Sequence, residues 1–83
     1  MGATVSGTFE IDCSKWNCKK IIEAGREKGA FGFIVDKDSR QDPDIIMNVS
    51  GQTQTQITNL IKNVIEPLGG TVRVKIVGNS LLR

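Results

Sequence analysis

Residues 57–77 read ITNLIKNVIEPLGGTVRVKIV and decide the fold class, because two different apolar periods meet in them. In the first half the apolar side chains recur every three or four positions, which predicts an amphipathic helix packed on a core. Pro67 and the glycine pair predict the end of this helix, because proline cannot continue the helical hydrogen-bond ladder. Residues 71–77 alternate, so a strand is expected directly after the helix.

The N-terminal half of the chain contains the same two kinds of pattern. Ser14 can cap a helix that runs to about Lys28 and stops at Gly29, a residue that tolerates the left-handed closing conformation. The apolar stripe of this helix contains Cys18, Ile21, Ile22 and Gly25. A polar turn ending in a proline separates two further apolar runs, which indicate strands. The predicted strands cover residues 4–12, 30–36, 44–50 and 71–77.

The element order β-α-β-β-α-β predicts an α+β fold, the ferredoxin-like sandwich. Two right-handed β-α-β crossovers place both helices on one face of a four-stranded antiparallel sheet and leave the other face open. The 83 residues fit one domain, residues 1–83, with a core over about 4–77 and a tail at 78–83.

Composition narrows the classes of function. Eleven Lys and Arg against nine Asp and Glu give a net charge of +2, well below the charge density of a strong phosphate-binding surface. The chain has no His and no Tyr, so we expect a protein that is not an enzyme and uses no cofactor. The N-terminus shows no charged leader, and no apolar stretch approaches the roughly 20 residues needed to cross a bilayer. We therefore expect a cytoplasmic protein without a membrane contact.

Residues 28–34, KGAFGFI, resemble the RNP-type signature of RNA-recognition motifs and cold-shock domains, although Ala30 interrupts that signature. The resemblance implies that Phe31 and Phe33 stack on the bases of single-stranded RNA or DNA from the sheet surface. The free energy gained by burying apolar side chains favours another interpretation, in which Phe31, Phe33 and Val35 line the core. Each ring left outside so small a core would forfeit about 1.5–3 kcal/mol.

Trp16, Lys19 and Lys20 form a second candidate contact group. On the predicted first helix Trp16 lies nearly opposite the apolar stripe, and the two lysines follow it at i+3 and i+4. An exposed tryptophan beside two cations suits a nucleic-acid strand or a protein partner. The alternative is that Trp16 folds back over the end of the sheet while the lysines are solvated.

Cys13 and Cys18 stand where the first strand meets the first helix. Heavy-metal-associated copper chaperones, which share this topology, carry a Cys-x-x-Cys pair at that junction, and the resemblance implies a thiol-handling or metal-handling protein. Here the spacing is Cys-x-x-x-x-Cys, which is poor geometry for two ligands of one ion, so no metal site is predicted. Cys18 is interpreted as a small buried residue, and two cysteines are too few for a disulfide framework.

The sheet face without helices completes the set of candidate surfaces. Its apolar members would form a dimer face through Ile34 and Ile46, and Arg73 and Lys75 would give it positive charge. The predicted members of the open face are Thr8, Glu10, Ile34, Ile46, Asn48, Arg73 and Lys75.

Three functions remain open at this point. The first is a non-enzymatic module that binds single-stranded RNA or DNA through the open face and the edge of the first helix. The second is a protein-interaction or self-assembly module that forms a homodimer. The third is a thiol-handling or metal-handling protein that uses Cys13 and Cys18.

Overall fold

The computed structural model of the chain describes residues 3–79, and its elements follow the predicted order. The second helix begins as an α-helix and continues as a π-helical turn. The elements are β1 (Val5–Asp12), α1 (Lys15–Glu27), β2 (Ala30–Ile34), β3 (Ile45–Gln52), α2 (Gln54–Leu60) with its π turn (Ile61–Ile65), and β4 (Thr71–Asn79).

The four strands form one antiparallel sheet in the order β2-β3-β1-β4. The buried residues of β1 and β3 alternate with exposed or half-buried ones, so one sheet face packs on the helices and the other is open. This is the predicted ferredoxin-like α+β arrangement, with two helices on one side of a four-stranded sheet.

Helix α1 begins and ends as its sequence predicts. The Ser14 side chain accepts a hydrogen bond from the amide of Asn17 at 3.3 Å and so satisfies one of the free amides of the first turn. At the other end Gly29 has φ = +87°, a conformation that costs glycine little. Cys18, Ile21 and Gly25 form the buried side of the helix, as the apolar stripe predicted.

Helix α2 begins at a capping box, in which Thr53 and Gln56 each bond the backbone amide of the other. Its last part has the wider i→i+5 hydrogen bonding of a π-helix, with the Glu66 amide donating to the Ile61 carbonyl at 2.9 Å. A period of about five residues places Leu60 and Ile65 on the same buried side.

Strand β2 turns its two phenylalanines away from the helices, so the prediction that Phe31, Phe33 and Val35 line the core is wrong for both rings. Ala30 pairs with the buried Val49, and a side chain lies on the same sheet face as its cross-strand partner. Alternation then places Phe31 and Phe33 on the open face, where they are 67% and 51% exposed.

Close packing of α1 on the sheet explains this orientation. A methyl group added at Gly32 would lie 3.1 Å from Met47 Cε and 3.3 Å from Ile22 Cγ1. One added at Gly25, on the helix above, would lie 2.8 Å from Met47 Cε. Only small residues fit where α1 crosses β2, so the small side chains of β2 face inward and its aromatic ones face outward.

Strand β4 departs from the predicted alternation. Its pairing with β1 shifts by one residue between Glu10 and Ile11, so β4 carries a bulge at this point. Lys75 pairs with the fully buried Phe9 and therefore lies on the helix side, which corrects its predicted position on the open face. The predicted tail was to begin at residue 78, but β4 continues to Asn79. Residues 80–83 lie outside the described residues.

The close contact at Gly32 gives a test of this packing. We expect Gly32→Val to lower the free energy of unfolding by about 1–3 kcal/mol, because a branched side chain overfills the space under Ile22 and Met47. Urea denaturation measures the change. The matched control is Gly78→Ala in β4, where an added methyl group meets no atom within 4 Å. Equal stability of the Gly32→Val variant and the wild type would contradict the proposed packing.

Candidate functional site

The open sheet face presents two rows of side chains that cross all four strands. Each row follows the register of the sheet from the β2 edge to the β4 edge. We call these eight residues the open face. The first row is Phe31, Asn48, Thr8 and Ile76, and the second row is Phe33, Ile46, Glu10 and Val74.

The open face is apolar at both edges. Phe31 and Phe33 form an aromatic edge on β2, and Val74 with Ile76, the latter 64% exposed, forms an aliphatic edge on β4. The half-buried Ile46 lies between the edges beside Phe33. Five of the eight side chains are thus hydrophobic and accessible, which makes this patch a candidate for contact with another molecule.

The centre of the open face is polar and carries little charge. The Thr8 hydroxyl donates to the Asn48 side-chain oxygen at 2.9 Å, so these two groups satisfy each other. Glu10 is the one ionisable residue in the two rows. Arg73, at the bulge, lies 3.5 Å from an Asp12 carboxylate oxygen, so its charge is compensated where it borders the face.

Two sequence predictions about this face have opposite outcomes. Ile46 lies on it, opposite Phe33 and Glu10, as predicted. Ile34 does not, because it pairs with the fully buried Ile45 and so belongs to the helix side, where it remains exposed at the sheet edge. Ile34 and Ile46 therefore do not form one dimer face.

Sequence reasoning missed Val74 and Ile76, which form the aliphatic edge. The alternation of β4 led to Arg73 and Lys75 as the outward residues. The bulge reverses the parity of the strand, and Val74 and Ile76 pair with Glu10 and Thr8 of the open face instead. The sequence of β4 carries no glycine or proline near Arg73 that would indicate a bulge.

Trp16, Lys19 and Lys20 lie on a different side of the molecule from the open face. Trp16 is 86% exposed, and both lysines are exposed, so the tryptophan does not fold back over the sheet. All three project from α1 away from its buried side, which packs on the opposite face of the sheet. The predicted group of α1 and open-face residues therefore divides into two separate surfaces.

Cys13 and Cys18 form a disulfide, which the sequence did not predict. Cys13 precedes the capping residue Ser14, and Cys18 lies in the second turn of α1. These are the two positions that a hydrophobic staple brings together at a helix start, and their Cα atoms are 5.6 Å apart. The bond is thus a covalent staple, worth about 2 kcal/mol by loop-closure entropy for so short a loop.

The spacing of five residues at a helix start is poor geometry for two ligands of one ion, but it does not prevent the two sulfurs from meeting across the cap. The chain reverses direction at Ser14, so a separation of five residues becomes a short distance. With their sulfurs joined, neither cysteine is a free metal ligand. Within residues 3–79 no group of three or more His, Cys, Asp or Glu side chains could hold an ion.

Asp44 forms hydrogen bonds with the end of β1 next to the disulfide. Its carboxylate accepts the backbone amide of Cys13 at 3.0 Å and pairs with Lys37 at 3.1 Å. The Cys13 amide is the main cause that lowers the pKa of Asp44; partial burial acts against it, and Lys37 adds to the lowering. The Asp44 backbone also links the strands, because its amide donates to the Ile11 carbonyl at 3.0 Å.

The structure bears on location in two ways. In the part of the chain that it describes, no helix is both long and apolar enough to cross a bilayer. A disulfide persists in oxidising compartments, whereas the cytosol keeps most thiols reduced. The cytoplasmic location therefore stays a prediction, and the Cys13–Cys18 bond is an observation against it.

Comparisons of the chain with protein-family models, with curated proteins and with solved structures found no match.

The pKa of Asp44 gives a testable pH dependence. Because this pKa is lower in the folded chain than its ordinary value of 3.8, the stabilisation is complete above that value and is lost as pH falls through the folded pKa. We expect Asp44→Asn to be less stable by about 1 kcal/mol at pH 7. The difference should disappear in strong acid, as measured by urea denaturation. Asp36→Asn, an exposed aspartate after β2, is the control, and a deficit unchanged in acid would contradict the role of the Asp44 charge.

Proposed function

We propose that this chain is a non-enzymatic contact module and that the open face pairs with the open face of a second copy. The observation that carries the proposal is the outward position of Phe31 and Phe33, opposite an equally exposed aliphatic edge. Burying a side chain of this size contributes about 1.5–3 kcal/mol. A small domain that leaves several such side chains in water gains stability when another surface covers them.

The charge of the open face favours a protein surface over a nucleic acid as its partner. Binding to phosphates depends on Lys and Arg side chains that replace counterions. The two rows contain Glu10 and no cation, Arg73 is paired with Asp12, and Lys75 lies on the helix side. The hydrophobic effect therefore remains as the main source of affinity for this face.

A second copy is the partner that fits the layout of the rows. A two-fold axis parallel to the strands, between two facing sheets, places the β2 edge of each copy over the β4 edge of the other. Phe31 then lies over Ile76 of the second copy, and Phe33 over Val74. Large aromatic side chains thus meet smaller aliphatic ones, which suits close packing of two sheets about 10 Å apart.

The size of the face sets the expected strength of the dimer. Four strands about 4.8 Å apart and two rows of side chains cover about 20 by 15 Å. The two facing patches, about 300 Å² each, give about 600 Å² in the pair before the relief of the side chains is counted, below the usual 1,200–2,000 Å² of stable complexes. The same axis sets Glu10 against Ile46 of the second copy, which costs free energy because a carboxylate loses water there. We therefore expect a weak dimer that depends on concentration.

Sedimentation over a range of protein concentrations tests this dimer. We expect the wild type to associate in the micromolar range, and Phe31→Ser or Ile76→Lys to stay monomeric. Both side chains are exposed, so the fold tolerates these changes. Glu10→Gln should form a tighter dimer of defined mass, because it removes the buried charge. Trp16→Ser, the matched control on the other layer, should associate like the wild type.

Association that survives both open-face variants, or that Trp16→Ser abolishes, would contradict this interface. A wild type that remains monomeric at millimolar concentration would remove the second copy as the partner.

Single-stranded nucleic acid is the second candidate, because Phe31 and Phe33 are exposed on one strand two residues apart. That separation is about 7 Å, and rings at such spacing on a sheet can stack on bases. The half-exposed polar pair Thr8 and Asn48 lies directly beside Phe31, where base edges would reach it.

Anisotropy of a labelled single-stranded RNA at low salt tests the second candidate. We expect binding that Phe31→Ser or Phe33→Ser abolishes and that depends only weakly on salt, because few cations border the face. Binding that depends instead on Lys19 and Lys20 and falls steeply with salt would place the nucleic acid on α1. No change in anisotropy would end this candidate and leave the dimer unaffected.

A further inference from the structure

We propose that the Cys13–Cys18 disulfide is a reversible exchange site for a small anionic thiol, open in the folded protein. It is independent of the contact proposed for the open face. Three observations carry the proposal: the two cysteines differ in exposure, three exposed lysines lie on the first turns of α1, and the bond lies at the start of that helix.

The difference in exposure decides which sulfur is attacked. Cys18 is only 6% exposed and packs in the core with Ile21, whereas Cys13 is half-buried at the end of β1. An incoming thiolate must approach one sulfur along the S–S axis with space to react, and access selects between the two. Cys13 is therefore the site of attack, and Cys18 is the leaving sulfur.

Positive charge around the start of α1 favours the reaction. Lys15, Lys19 and Lys20 are exposed on the first turns of this helix, and its first turn contains no acidic residue. The partial positive charge of a helix N-terminus and nearby lysines both stabilise a thiolate. The Asp44 carboxylate accepts a hydrogen bond from the Cys13 amide, and its charge is paired with Lys37. The surroundings attract an anionic thiol, and the helix start with its lysines offsets part of the cost of a Cys18 thiolate that leaves into a buried site.

The exchange proceeds in two balanced steps. The external thiolate forms an S–S bond with Cys13 while the Cys13–Cys18 bond breaks, and Cys18 takes the electron pair as a thiolate. A second molecule of the same thiol attacks the external sulfur of the mixed disulfide. Cys13 leaves as a thiolate, and the two external thiols form their own disulfide. The protein gains two electrons from these thiols, and its two thiolates take up through water the two protons that the external thiols lost on ionising.

Glutathione is the probe for the test, in native buffer and with the full chain. The reaction is quenched with acid at set times, and mass spectrometry of peptides locates the mixed disulfide. We expect glutathione on Cys13 and a rate that rises with its concentration. The double variant Lys19→Gln with Lys20→Gln should react severalfold more slowly, because it loses the local positive charge. Lys62→Gln, an exposed cation of the second helix, is the matched control and should react like the wild type.

A destabilised variant separates this exchange from reaction through unfolding. Ile57→Ala leaves a cavity at a buried position of α2 and so lowers stability without changing α1 or either cysteine. If the bond reacts in the folded protein, this variant and the wild type exchange at the same rate. A rate that rises with the loss of stability, or glutathione on Cys18, would overturn the proposal and make the disulfide an inert staple.

Discussion

The close contact of α1 with the sheet is the constraint on which the rest of the structure depends. A side chain at Gly25 on the helix or at Gly32 on β2 would have to displace the end of the buried Met47 side chain. Because β2 must place small residues under the helix, alternation turns Phe31 and Phe33 to the other side. One packing requirement in the core thus creates the aromatic edge of the open face.

The elements with a single strong period were predictable from the sequence, but the orientation of two edge strands was not. Helix α2, the Ser14 cap and the order of the elements follow from periodicity and capping chemistry. Strand β2 is apolar on both faces, so its composition does not indicate which side is inward. Pairing register decides it, and the register depends on contacts with β3 that are distant in sequence. The bulge near Arg73 also depends on pairing with a distant strand, and it reverses which residues of β4 face outward.

The disulfide shows a different reason for a wrong prediction. Ser14 was correctly identified as the residue that caps α1, and that assignment already placed Cys13 outside the helix. Positions before the cap and in the second turn contact each other in many helices, so the spacing of five residues was a signal for proximity. The spacing that suits two ligands of one metal ion differs from the spacing that brings two side chains together across a helix cap. A capping residue fixes the direction of the chain as well as the start of a helix.

The molecule keeps one of its three phenylalanines, Phe9, in the core and leaves the other two in water. For so small a domain the free energy forfeited is comparable with its whole stability, so a surface that covers the rings matters for folding as well as for binding. The disulfide and Trp16 lie on the opposite layer, with the sheet between them and the open face. Opening the staple therefore acts on α1 directly, and α1 contacts β2, the strand of the aromatic edge, at Gly25 and Gly32. The proposed thiol exchange and the proposed contact thus belong to opposite faces of the sheet, and the close packing of α1 on β2 lies between them.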